Sequence, residues 1–530
     1  MDLTGIVTQH ARYRPGATAL VCDTQRLDWA EFDARINRLA CALRDGGVNP
    51  GDRVATVLGN CVELLEIYWA CARLGAVAVP LSPLLMQAGI ASLLADAEPR
   101  AVFASAATAV ATGEACAALE MIGLKVLVGD PPSASMHGFL AYARFTDRPD
   151  AAPLRARVAP DDAYNIMYTS GTTGLPKGIV LTHRIRAMYA TLMANAWRIT
   201  PQSVILHSGA IVFNGAFVTL MPALMAGATY VLHRQFDAAA FIETVARERV
   251  THTMLVPAQI IAILDAPEFS AERLASLEVL VSLGAPLALA QKERLEALLP
   301  GRFHELYGLT EGFVTILDRA DAVRKQGSVG IPPPWFELRI VGEDGREAAV
   351  GEVGEIVGRG PLLMPGYYRR PDLTAQTIKD GWLYTGDLGR IDADGFLYLV
   401  DRKKDMIDSG GVKVYPRDIE EVIARHPAVA EAVVFGVPDE KWGETPMAAV
   451  VLKVSPGGTA GRPAEGPKVS PAGTAPTAAE LRDWINERVA ARYQRVAAVV
   501  VVPAFPRNAA GKVLKRELRE PYWAARASRI

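Results

Sequence analysis

Apolar residues recur at helical spacing from Trp29 to Asp45 and again from Val62 to Leu74, and between them Arg53 to Leu58 reads as a strand. The alternation returns further along. Ala163 to Tyr168 and Ile179 to Leu181 read as strands, Ile185 to Trp197 as an amphipathic helix, Gly227 to Leu232 as a strand and Phe241 to Val250 as a helix. Strands that alternate with helices predict parallel sheets covered by helices, an α/β fold. After about Gly330 the texture changes to short strands with glycine turns, at Leu338 to Val341, Gly354 to Val357, Trp382 to Thr385 and Phe396 to Val400, which predicts a small β-barrel-like subdomain. The charged run DRKKD, Asp401 to Asp405, then interrupts the strands. A separate pattern follows, a helix from Pro416 to Arg425 and a strand from Ala432 to Val437, so an interdomain boundary is expected there. This last unit is expected to be a small α+β domain.

A chain of 530 residues is too long for one ordinary core, which agrees with two or more structural units. Half the residues are hydrophobic and 22% are charged, values typical of a globular enzyme. Lysine plus arginine nearly balances aspartate plus glutamate, giving a formal net charge of −2. Neither nucleic acid nor an anionic membrane is therefore expected as principal partner. Cys22, Cys41, Cys61, Cys71 and Cys116 lack C-x-x-C spacing and are odd in number, so reduced core thiols are expected rather than disulfides. The eight histidines show no metal-ligand spacing, and no structural metal is expected. The N-terminus lacks a basic leader and no apolar run approaches about 18 residues, so no membrane span and a cytoplasmic location are expected. Residues 455–477 are rich in proline, glycine and alanine, and KVSPGGTA at Lys453 to Ala460 returns as KVSPAGTA at Lys468 to Ala475. Such a composition predicts a flexible surface loop without chemistry.

The run YTSGTTGLPKG, Tyr168 to Gly178, has the composition of an anion cradle. Gly171 and Gly174 allow the backbone to turn its N–H groups onto phosphate oxygens, Thr169, Ser170, Thr172 and Thr173 add hydroxyl donors, and Lys177 adds a point charge. No G-x-x-x-x-G-K-[ST] spacing passes through it, so it is not a Walker A loop. The run resembles the phosphate-loop signature of the adenylate-forming superfamily, which includes acyl-coenzyme A synthetases, firefly luciferase and the adenylation domains of peptide synthetases. Further motifs extend the resemblance over nearly the whole chain, from LDWAEF at Leu27 and PGDRVA at Pro50 onward.

The resemblance implies a role for each. Gly284, Ala285 and Pro286 would lie under the adenine of ATP. In YGLTEG, Tyr307 would stack on adenine beside Gly308, Thr310 would contact the α-phosphate and Glu311 would coordinate Mg²⁺. In TGDLGRIDADGFLYLVDRKKD, Thr385 to Asp405, Asp387 and Arg402 would hold the ribose hydroxyls. Lys512, in PRNAAGKVLKREL, would bridge the acyl carboxylate and the α-phosphate. The implied organisation is a large N-terminal domain over residues 1–401, a hinge at 402–404 turning about Lys404, and a mobile C-terminal domain over 405–530. Rotation would bring the face Ser409, Gly410 and Gly411 round to admit coenzyme A.

Asn214 stands where the fatty-acyl and coumarate-type ligases that this chain resembles usually carry histidine. It holds no charge near neutral pH, which also argues against an amino-acid substrate, since amino-acid-activating domains usually place aspartate there. With Phe213, Gly215, Ala216 and Gly308 it implies a roomy, uncharged acyl pocket for a hydrophobic monocarboxylic acid, fatty or aromatic. Trp335 stands where relatives usually have glycine and is expected to pack a subdomain junction or to narrow the pocket. The leading reading is an AMP-forming acid:coenzyme A ligase. Loading of a carrier protein and luciferase-like oxidation are competing enzymatic readings, and the lack of a carrier motif after Lys512 favours a free thiol. A nucleotide-binding protein without turnover would be expected to lack Lys512 or Glu311, and both are present. The oligomeric state, a homodimer included, is left open.

Overall fold

A computed structural model describes residues 3–129, 138–148, 153–169, 177–453, 475–507 and 513–524. The phosphate-loop residues Ser170, Gly171, Thr172, Thr173 and Gly174, the catalytic candidate Lys512, and all of the repeated loop except 475–477 lie outside these segments.

Two large sheets carry the N-terminal part. The first has seven strands, parallel from Leu140–Ala141 through Ala163–Thr169, with Lys177–Thr182 added antiparallel at one edge. The second has eight, of which Thr18–Cys22, Thr229–Leu232, Val204–His207, His252–Leu255, Val279–Ser282 and Phe303–Gly308 run parallel as neighbours. Helices cover them because their apolar faces have nowhere else to go. Helix Trp29–Asp45 buries Trp29, Phe32, Ile36, Leu39 and Leu43 on one stripe and is capped by Asp28, which accepts from the Glu31 N–H at 2.8 Å. Helix Val62–Leu74 is buried almost all round, as its continuous apolar sequence requires, and stops at Gly75 in the left-handed conformation.

The predicted elements are found with modest shifts that capping chemistry explains. The helix expected from Ile185 starts at His183 because Thr182 caps it, accepting from the Ile185 N–H at 3.2 Å. The strand expected from Gly227 starts at Thr229, since Gly227 is spent ending helix Phe217–Ala226. The helix expected over Phe241 to Val250 is Ala238–Glu248, begun by Asp237.

The third sheet is antiparallel and built on the long strand Trp382–Ile391. Gly354–Arg359 pairs along one edge, while Ile378–Lys379 and then Leu397–Arg402 occupy the other. Its strands pair along an open path among the described residues. The C-terminal unit has a five-stranded sheet dominated by the hairpin Val429–Asp439 and Gly443–Leu452, with helices Pro416–Ile423 and Ala478–Asn486 over its own core of Ile407, Ile419, Val434 and Leu481. The molecule is α/β in its large part and α+β in its small one. All five cysteines are buried and none is in a disulfide, and no helix among the described residues is long and apolar enough to cross a membrane.

His207 ends a buried parallel strand with its ring stacked on Tyr230. Burial pulls its pKa down from 6.5 to about 4. The unfolded chain therefore binds the proton more readily between those values, and stability complete above pH 6.5 is lost as pH falls toward 4. His207→Phe keeps the ring and deletes the titration, so at pH 4 it should recover up to about 3 kcal/mol relative to wild type. Calorimetric Tm at pH 7 and pH 4.5 checks this: the variant's drop should be the smaller, and equal drops would contradict it.

Candidate active site

Three of the segments marked by their sequence leave the carboxyl ends of parallel strands in the eight-stranded sheet. Val204–His207 leads through residues 208–213 to Asn214, Val279–Ser282 leads to Gly284, Ala285 and Pro286, and Phe303–Gly308 bears Tyr307 and Gly308 just before Thr310 and Glu311. Parallel neighbours point these ends the same way, which is how residues far apart in sequence gather in one crevice.

The seven-stranded sheet contributes the phosphate loop. Ala163–Thr169 and Lys177–Thr182 pair antiparallel with Thr169 opposite Lys177, so both ends of the loop are fixed. The partner of that hairpin is a segment the sequence did not mark. Tyr368 N–H donates to the Gly178 carbonyl at 2.7 Å and Val180 N–H to the Gly366 carbonyl at 3.2 Å. Tyr367 is thereby held between two charges: its hydroxyl donates to Glu311 Oε1 at 2.9 Å and its ring lies 5.2 Å from Lys177 Nζ. Burial, with the Glu311 charge second, raises the Tyr367 phenol's pKa, so it stays a donor. Glu311 keeps its second carboxylate oxygen for other partners. Its backbone is fixed as well, since its carbonyl accepts from the Met364 N–H at 2.9 Å and Gly312 takes a left-handed φ of 116° where an added Cβ would lie 1.9 Å from the Leu362 carbonyl oxygen.

Asp387 and Arg402 sit opposite each other on paired strands of the third sheet. Arg402 Nε lies 3.1 Å from Asp387 Oδ1, and the Tyr307 hydroxyl donates to Oδ2 at 2.9 Å. A carboxylate has about four acceptor positions, so Asp387 retains capacity for hydroxyl donors. The structure thus joins two motifs that the sequence offered separately.

The segment before Asn214 is fastened by buried polar groups from the loop after strand Arg53–Val57 and from helix Val62–Leu74. Asn60 Nδ2 donates to the Gly209 and His233 carbonyls at 2.7 and 2.8 Å, its Oδ1 accepts from the Ile211 N–H at 2.9 Å, and the Tyr68 hydroxyl donates to the Ile211 carbonyl at 3.1 Å. Phe213 leads into the short turn Asn214–Ala216, which feeds helix Phe217–Ala226. A buried charge stands directly behind Asn214. Arg186, fully buried on helix His183–Trp197, donates from Nη1 to Asn214 Oδ1 at 2.8 Å, while Asn214 Nδ2 donates to the Tyr189 hydroxyl at 2.9 Å. The signal was present, an arginine one turn before a tyrosine on an apolar helix, but only the fold brings that face to Asn214. Trp335 is 69% exposed with φ 71° and packs no junction.

Lys404 lies in the turn between Leu397–Arg402 and Ile407–Ser409. Gly410 and Gly411 form the two-residue turn of the hairpin Ile407–Ser409 and Val412–Val414, and their φ values of 63° and 82° are the pair that such a turn demands. Gly410 N–H donates to the Trp442 carbonyl at 2.7 Å. Among the described residues no group of three or more His, Cys, Asp or Glu side chains could hold a metal ion. A single free carboxylate oxygen such as that of Glu311 nevertheless suits Mg²⁺ carried in by ATP phosphates, because Mg²⁺ keeps most of its waters.

The family model described as "AMP-binding enzyme" matches residues 7–368, and that of the "AMP-binding enzyme C-terminal domain" matches 418–512. The chain belongs to the AMP-binding enzyme family. A feruloyl-CoA synthase of Amycolatopsis is 34% identical over 533 residues, covering 97% of this chain and 98% of the relative. An indoleacetate–CoA ligase of Aromatoleum aromaticum is 35% identical over 530 residues, 98% of both. The ATP-bound crystal structure of MatB from Rhodopseudomonas palustris superposes with a TM-score of 0.87 at 29% identity, covering 98% of this chain and 99% of that one. In this AMP-binding enzyme the two family matches leave 369–417 between them, the stretch that holds Asp387, Arg402 and Lys404.

Asn60→Ala orphans three backbone groups at once and should cost about 3 kcal/mol. It should also raise the KM for the acid substrate, because the approach to Asn214 loses its fastening. Urea unfolding with initial-rate kinetics checks both, and a variant of wild-type stability would contradict the assignment.

Proposed function

We propose that this AMP-binding enzyme is an AMP-forming acid:coenzyme A ligase for a hydrophobic monocarboxylic acid, fatty or aromatic. What supports the reading is that hydrogen bonds and close contacts join the separate motifs: Tyr307 to Asp387, which pairs with Arg402, and Glu311 through Tyr367 to the strand that carries Lys177. The names of the two ligase relatives support both the thiol acceptor and the hydrophobic acid.

A free carboxylate would have to expel oxide, and coupling to AMP replaces that with a good leaving group. The acid's carboxylate oxygen attacks the α-phosphorus, an O–P bond forms, and the bond to the departing pyrophosphate breaks with its electron pair. In this proposal the loop from Thr169 to Lys177 holds the leaving phosphates, Thr310 and Lys512 meet the α-phosphate, and Asp387 with Arg402 anchors the ribose. Tyr307 and the turn Gly284, Ala285 and Pro286 face the adenine. Mg²⁺, held by Glu311, would neutralise phosphate charge. Gly308 lies where nucleotide and acyl group would meet, with Phe213, Asn214, Gly215 and Ala216 lining the acyl side. Rotation of residues 405–530 about Lys404 would then exchange Lys512 for Ser409, Gly410 and Gly411 at the crevice, and coenzyme A would displace AMP. We place the reaction in the cytosol, where ATP and reduced thiols coexist.

Pyrophosphate release measured across benzoate, cinnamate and fatty-acid panels, with and without coenzyme A, tests the reading. Sustained turnover should require the free thiol, and turnover that needs a carrier protein instead would overturn that choice of acceptor. Lys512→Ala should slow adenylate formation by about 100-fold or more yet leave thioester formation from supplied acyl-adenylate within about threefold of wild type. Equal losses in both would remove the assigned role. Lys404→Pro should impair thioester formation more than adenylation, and an unchanged overall rate would count against the hinge.

A further inference from the structure

Arg186 is a buried guanidinium for which the fold supplies no counter-ion among the described residues. Its Nε donates to Asn165 Oδ1 at 3.2 Å and its Nη1 to Asn214 Oδ1, its carbon lies 3.9 Å from the Phe217 ring centroid and 5.1 Å from that of Tyr189, and Nη2 has no hydrogen-bond partner. Burial lowers its pKa only to about 10, so the charge persists at neutral pH. A lone buried charge costs several kcal/mol, and apolar side chains of like volume commonly serve stability as well or better. Packing therefore gives no reason for an arginine here.

The hydrogen bonds around it have a fixed polarity. Arginine cannot accept, so the Asn214 atom facing it is the carbonyl oxygen, and the amide nitrogen must turn to Tyr189. That nitrogen spends one hydrogen on the Tyr189 oxygen and retains another. The Tyr189 hydroxyl, having accepted, retains its own hydrogen, because among the described residues the bond from Asn214 is the one it makes. Arg186 Nη2 retains two. Each of the three side chains therefore keeps at least one hydrogen to donate. Asn214 is partly exposed whereas Arg186 and Tyr189 are fully buried, so Asn214 is the member of the cluster that reaches the open side.

We infer that Arg186 is a positioning residue for the reacting carboxylate, locking Asn214 so that Asn214, with Tyr189 and the charge behind it, presents a donor-rich wall to the anionic oxygens of the acid. The inference rests on the ligase reading and deepens it. It explains how a neutral asparagine serves at this position, the positive charge being supplied one residue further back. The wall matters while the acid is an anion. Once the oxygen is bonded to phosphorus, the acyl group is a neutral carbonyl and gains far less from the charge.

Steady-state kinetics on Arg186→Met, Arg186→Lys and Tyr189→Phe test this, with wild-type pyrophosphate exchange as the control for the ligase reading. Arg186→Met should raise the KM for the acid about tenfold or more, the usual effect of losing a charged hydrogen-bonding group. It should leave the KM for ATP and thioester formation from supplied acyl-adenylate within about twofold. Arg186→Lys, which keeps the charge, should recover part of the loss. Tyr189→Phe removes a single hydroxyl and should raise the acid KM a few-fold, so it decides the matter should Arg186→Met not fold. Wild-type exchange with an unchanged acid KM in the variants would overturn the inference alone, as would acid and ATP constants rising together. Absence of exchange in the wild type would overturn the ligase reading and this inference with it.

Discussion

Tyr367 stands between a cation and a carboxylate that come from different sheets, and the crevice depends on that placement. Its ring faces Lys177 at the foot of the phosphate loop and its hydroxyl holds Glu311, while the backbone on either side of it is hydrogen-bonded to the strand that carries Lys177. Without this bridge the strand that carries Lys177 and the segment that carries Glu311 would lose a direct side-chain link between the two α/β layers. A phenol suits the task because it satisfies both charges at once and, raised in pKa by burial, brings no charge of its own.

The remaining side of the crevice is organised by buried polar groups rather than by apolar contact. Asn60, in the loop after strand Arg53–Val57, and Tyr68, on helix Val62–Leu74, reach across to backbone groups of residues 209–211. Buried amides of this kind are directional, so they set the course of a loop where apolar packing would set only its depth. Arg186 extends the same logic to the side chain of Asn214, whose orientation follows from its partner having no acceptor. In the proposed reading the acyl pocket therefore combines apolar residues such as Phe213 with one wall of fixed polarity.

Strand Leu397–Arg402 links the site to the C-terminal unit through the alternation of its side chains. Arg402 meets Asp387 on one face, whereas Asp401, next to it, accepts from the Arg417 N–H at 3.1 Å, and Arg417 in turn donates to the Leu399 carbonyl at 2.9 Å. Burial pushes the Asp401 carboxyl up to about 6 although Lys515 draws it down. One strand end thus carries the candidate ribose pair on one face and a contact with helix Pro416–Ile423 on the other, immediately before the turn at Lys404.

The chain's alternation of strand and helix fixed the α/β class, and helices such as Trp29–Asp45 and Val62–Leu74 were legible to the residue because caps and apolar stripes are local properties. Glu311, Asp387 and Arg402 were marked in the sequence by the resemblance of their runs to the adenylate-forming superfamily, and the structure adds the hydrogen bonds that hold them. Tyr367, Asn60 and Arg186 were not. A tyrosine, an asparagine and an arginine acquire these roles only from what the parallel strands and the packed helices bring opposite them, and no periodicity along the chain records which buried groups meet across two sheets. Local sequence determined which residues could act, and the tertiary structure decided which way they face and what holds them there, because hydrogen-bond direction and burial are set by neighbours distant in the chain.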